Sequence, residues 1–143
     1  MDLDSYKKLS DYISTDGLAK LFDELLTDAA AHPEWKGARV IGALHELSDR
    51  QWHTYERLSP ELRKRVAQWI VKHWTPDSIN FITSAAFIAG SLGLPEVLSQ
   101  LEASLAASPD NVKDQIRSAI RELKPSIDDP FSGIRRYGAR PAR

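Results

Sequence analysis

The sequence predicts an all-α protein, and three observations carry that expectation. Five prolines stand directly before an acid: Pro33-Glu34, Pro60-Glu61, Pro76-Asp77, Pro95-Glu96 and Pro109-Asp110. Proline at the first helical position gives up an N–H that has no intrahelical partner, and the acid suits the positive end of the helix dipole. Apolar residues recur every three or four positions after these starts, and no run of four or more residues alternates apolar with polar between turn signals, so no sheet is expected.

Each element follows from its own stripe. Leu3, Tyr6, Leu9 and Ile13 predict a short helix over 3–13. Ser14-Thr15-Asp16-Gly17 ends it and caps a second, with Leu18, Leu21, Phe22, Leu25, Leu26 and Ala29 on one face. Pro33 restarts the chain, and Trp35, Ala38, Ile41 and Leu44 predict a third helix to residue 47. Asp49 is placed to cap a helical turn bearing Trp52 and Tyr55. The triads Ser59-Pro60-Glu61, Thr75-Pro76-Asp77 and Ser108-Pro109-Asp110 read as capped starts for helices over 60–74, 76–92 and 109–124. Pro95 opens another over 95–107, and Gly90 or Gly93 is suited to a left-handed C-terminal residue before it. The expectation is about seven or eight helices joined by short connections, so that consecutive helices lie antiparallel. Residues 1–124 form one domain. Residues 125–143, with four arginines, three prolines and two glycines, form an extended basic tail on which Phe131 and Ile134 are candidates to dock back.

The stretch from Ser91 to Leu123 resembles the HEAT-type repeats of α-solenoids. The features that carry it are the Gly93-Leu94-Pro95 joint, the leucine spacing at Leu98, Leu101 and Leu105, and Ser108-Pro109-Asp110 between paired helices. The resemblance covers residues 76–124 and extends weakly over 17–74. It implies up to three stacked helix pairs as a short HEAT-like α-solenoid. Because the proline spacing is irregular, an irregular helical bundle is the alternative.

Composition narrows the function classes. The chain has no cysteine, which removes disulfides and thiolate metal sites. The acidic start Met1-Asp2-Leu3-Asp4 lacks the order of a signal peptide, and the apolar-leaning stretch 85–94 is too short to span a bilayer. A cytoplasmic protein without membrane contact is expected. His45-Glu46 begins like a zinc-protease helix, but Asp49 stands where the second histidine is required. No Gly-x-Ser-x-Gly elbow or phosphate loop is present, so no enzyme activity, cofactor or metal is expected.

Charge is unevenly spread over a net of −1. Residues 1–49 carry ten acids to five Lys/Arg, and residues 50–74 carry six Lys/Arg to two acids. Two candidate surfaces follow. Asp23, Glu24, Asp28 and Glu34 form an acidic set suited to a basic protein partner, by steering and by mimicking phosphate. Arg63, Arg65, Lys72 and Trp74 form a basic-aromatic set of the kind that grips phosphates and stacks bases. The plain alternative for both is a solvated helix face around a core. In size, acid lean and lack of cysteine the chain resembles bacterial immunity and antitoxin-type proteins. That resemblance implies a non-catalytic inhibitor that docks on a basic toxin, including a nuclease. The alternative is a nucleic-acid-binding HEAT-like module.

Overall fold

The computed structural model describes residues 2–131. They form an all-α helical bundle with no strand among them. The helices are α1 (Thr15–Ala31), α2 (Gly37–Trp52), α3 (Pro60–Lys72), α4 (Ile79–Leu92), α5 (Pro95–Ser104) and α6 (Asp110–Leu123), with 3-10 segments at Leu3–Lys8 and Lys124–Ser126. Alternate helices form two layers. Helices α1, α3 and α5 pack in succession, as do α2, α4 and α6, and the broadest contact is between α2 and α4. Helix α4 also touches α3 and α5, so it lies at the centre. Its sequence explains the position: none of the fourteen residues INFITSAAFIAGSL is charged.

One continuous core joins the layers. Tyr6, Leu18, Phe22, Leu25, Leu44, Leu47, Ile70, Ile82, Ile88, Leu101 and Ile116 are all fully buried. The stripe predicted for α1 faces this core, as do Val66 and Ile70 of α3, Leu98 and Leu101 of α5, and Val112 and Ile116 of α6.

Several boundaries differ from the sequence expectation. The first helix stops at Lys8 rather than residue 13, because Arg50 takes the carbonyls of Leu9 and Ser10 at 2.9 and 2.8 Å. Those carbonyls are held for a side chain and not for a helical N–H. The predicted break at Ser48-Asp49 does not occur. Ser48 is buried, its hydroxyl donates to the Leu44 carbonyl (2.7 Å), and α2 runs on to Trp52. A serine that bonds back one turn is compatible with a helix interior.

Three of the five prolines do not begin helices; Pro109 stands just before α6 as its N-cap residue. Pro33 lies in a turn, and α2 starts at Gly37 without a side-chain cap. Pro76 also lies in a turn, and Ser78 caps α4 by accepting from the Phe81 N–H at 3.1 Å. Of the three Ser/Thr-Pro-acid triads, only Ser59-Pro60-Glu61 forms the expected bond, from the Leu62 N–H to Ser59 Oγ (3.3 Å). Ser108 is buried and its hydroxyl donates backwards to the Ser104 carbonyl (3.1 Å).

The packed body continues past residue 124. Ile127 and Phe131 are buried. Trp52 Nε1 donates to the Pro130 carbonyl (3.3 Å), and the Phe131 ring lies 5.9 Å from Trp52 and 6.0 Å from Tyr55. Gly93 closes α4 in the left-handed conformation (φ 75°), the role foreseen for it or Gly90. Ile134 and the four tail arginines lie outside the described residues.

Candidate functional site

The two sequence-predicted surfaces are neighbours, because α1 packs on α3. Asp23 Oδ1 accepts from Arg65 Nη1 at 2.7 Å, so one member of the acidic set is engaged by one member of the basic set. Glu34 pairs with His32 at 3.0 Å. A backbone hydrogen bond and the His32 contact hold its carboxyl below the usual range. Glu24 and Asp28 face the buried phenol of Tyr6. Burial, then the charges of Glu24 and Asp28, push that phenol up to about 12. Asp23, Glu24 and Asp28 stand on α1 and Glu34 in the turn after it; Asp23 pairs across to α3 and Glu34 with His32.

The basic-aromatic set is largely committed to structure. Arg63 Nε donates to the Leu58 carbonyl (2.9 Å). Desolvation and the neighbouring Arg57 lower the pKa of Arg63. Trp74 packs on the core, edge-on to Phe81 at 5.8 Å, with its indole N–H buried. Trp69 stacks on His73 at 4.3 Å. Lys72 is exposed at the end of α3. Of the four, Arg63, Arg65 and Trp74 thus each have a partner within the fold.

A different feature emerges on the opposite layer. Helices α2, α4 and α6 run in the same direction. Pro130 lies against both Trp52 and Gly93, at the ends of α2 and α4, and Gly90 meets Leu123 at the end of α6. A Cβ on Gly90 would come within 3.1 Å of Leu123 Cδ2, so glycine lets these helices approach. Together the three helices enclose an open groove of about 620 Å³.

Helix α4 supplies the floor with Thr83, Ala86, Phe87, Gly90 and Ser91, at the three-to-four-residue spacing of one helix face. The Phe87 ring is partly exposed and stacked on His45 at 4.1 Å, nearly parallel. One wall, from the end of α2, carries Asp49, Trp52 and His53. The other, from α6, carries Gln115, Ser118 and Glu122. His53 Nδ1 donates to the Asp49 carbonyl at 2.8 Å and lies 3.8 Å from its carboxylate. Among the described residues no lysine or arginine lines the groove. Comparison with known protein families, curated proteins and solved structures gives no match to this chain.

The groove combines several kinds of side chain. It has carboxylates on two walls, hydroxyls, an aromatic floor and one histidine, and no serine or threonine there makes a hydrogen bond to His53. No cluster of three or more His, Asp or Glu among the described residues could hold a metal ion. No helix among them is long and apolar enough to cross a membrane. The sequence reading missed this site. Its visible sign is a helix without charge that carries Phe87 among Thr83, Ala86, Gly90 and Ser91 on one face.

Proposed function

We propose that this chain is a non-catalytic protein-binding module of HEAT-like build, and that it acts as an immunity or antitoxin-type inhibitor of a basic partner. The observation that carries the reading is the α2–α4–α6 groove: carboxylates on two walls, no lysine or arginine among the described residues that line it, and an exposed aromatic ring in the floor. Such a surface attracts a positively charged protein and repels a nucleic-acid backbone. The alternation of two helix layers supports the HEAT-like reading, since stacked helix pairs present extended ridged surfaces to partners. The acids on α1 add a negative field that steers the approach. Inhibition is stoichiometric, by covering the active face of a toxin such as a nuclease. Affinity capture from the native host, followed by reconstitution, tests this. A tight one-to-one complex with a toxin whose activity is abolished is expected. Co-purification with nucleic acid alone, or turnover of a substrate by the purified chain, overturns it.

A further inference from the structure

We infer that the α2–α4–α6 groove receives one segment of the protein partner, in which an aromatic or large apolar side chain stands between arginines or lysines. This rests on the protein-binding reading and adds the place and the chemistry of contact. Size comes first. About 620 Å³ falls within the range of sites that enclose a ligand, and is too confined for a flat protein face. A short protruding segment fits it.

The floor selects an apolar anchor. Phe87 is partly exposed yet stacked on His45, so its ring is already held in place and loses little freedom on binding. The small residues Ala86 and Gly90 beside it leave room for an incoming side chain. The walls select cations. Asp49 and Glu122 are both exposed and stand on different helices. Helices α2 and α6 also end at this groove, and the partial negative charge of a helix C-terminus favours a cation. The end of α4 does not add to this, because Arg57 already covers it. A Cβ placed on Gly93 would lie 2.5 Å from Arg57 Nη2.

The test uses the full-length ¹⁵N-labelled chain and a short synthetic peptide with one phenylalanine flanked on each side by arginines. Saturable shifts are expected at the amides of Thr83, Phe87, Gly90 and Ser118. Binding should weaken by roughly tenfold or more in Asp49→Lys/Glu122→Lys, in Phe87→Ser, and with peptides carrying glutamates for arginines or serine for phenylalanine. Circular dichroism on each variant separates lost binding from lost fold, and the peptide variants test the same chemistry on the unaltered protein. Equal binding of the glutamate peptide, or shifts confined to α1, overturns the inference. Replacement of Arg135, Arg136, Arg140 and Arg143 by serine provides a second control. If that alone moves the groove amides, the occupant is the chain's own end and the partner assignment falls. If those amides move with protein concentration, the occupant is a second copy and it falls likewise. A captured protein partner that binds Asp49→Lys/Glu122→Lys unchanged sinks the groove while leaving the binding function standing. A chain that takes the peptide but inhibits no toxin sinks only the immunity function.

Discussion

Asp23 and Arg65 meet at 2.7 Å across the boundary between α1 and α3. Along the chain they belong to opposite blocks, one acid-rich and one base-rich. In the fold the blocks lie side by side, and a second exposed pair, Asp4 with Arg39 at 2.7 Å, ties the first segment to α2 in the same manner. Part of the sequence's charge asymmetry is thus internal complementarity.

The pair should contribute little to stability. Its side chains are 34% and 63% exposed, so solvent and salt screen the attraction. A double-mutant cycle with Asp23→Ala and Arg65→Ala should give a coupling below about 1 kcal/mol by urea denaturation. A coupling above about 2 kcal/mol would show a structural tie much stronger than an exposed pair provides.

Leu101 and Ile116 are both fully buried, on α5 and α6. Truncation to alanine at either should cost about 2–5 kcal/mol, the lost transfer energy plus the cavity left behind. Losses under about 1 kcal/mol at both would mean that these helices do not pack as described.

The extent to which the sequence disclosed this fold depends on where the determining contact lies. Helices α3 and α5 begin at their prolines, and α1 begins after the predicted Ser14 cap, because those signals are local. Pro33 and Pro76 misled because proline suits a turn as well as a helix start, and competing residues decide between them. At Pro76 the deciding residue is Ser78, whose side chain makes the cap. The early end of the first segment was not legible at all, since it depends on Arg50, about forty residues away. The pairing of Asp23 with Arg65 was not legible, because it joins residues 42 apart in the chain. The groove is distributed over three helices and Ser126, so no contiguous motif encodes it.

Two glycines should respond oppositely to alanine. Gly93 has φ 75°, and an added Cβ would crowd Arg57, the Ile127 carbonyl and Pro130. Gly93→Ala should destabilise by more than about 1 kcal/mol. It should also loosen residues 127–131, read as a red shift in tryptophan emission as Trp52 loses its Pro130 and Phe131 contacts. Gly42 sits inside α2 with nothing within 4 Å of an added Cβ. Gly42→Ala should stabilise by about 0.5–1 kcal/mol, since glycine is the poorer helix former. Thermal melts of both variants check the sign.

Tyr6 should give the protein an alkaline limit. Its ring is fully buried, its hydroxyl has no partner among the described residues, and its pKa is pushed up to about 12. A phenol in the unfolded chain ionises near 10. Below about pH 10 both states keep the proton and stability is unaffected. As pH rises further the unfolded chain ionises first, so stability falls between about 10 and 12, by an amount on the order of 2 kcal/mol. Tyr6→Phe removes that contribution and, because no hydrogen bond is lost, should be neutral or slightly stabilising at pH 7. Denaturation of both proteins across pH 8–12 measures the difference. Parallel curves would show that the phenol titrates alike in both states.

Nucleic acid should not bind tightly to α3. Arg63 is bonded to the Leu58 carbonyl, Arg65 is paired with Asp23, and the Trp74 ring is packed against Phe81. Lys64 and Lys72 remain exposed, and two lysines neutralise too few phosphates for useful affinity. Stacking is also blocked, since Trp69 already stacks on His73 and offers no open face on that side. Fluorescence anisotropy with labelled single- and double-stranded oligonucleotides at low salt should show no binding tighter than about 10⁻⁴ M, the weak end of non-specific affinity. Arg63→Ala with Lys72→Ala should then change nothing measurable. Micromolar binding that fell steeply with salt and weakened in that double variant would show these side chains leaving their partners for phosphate, and would restore the nucleic-acid reading over the protein-binding one.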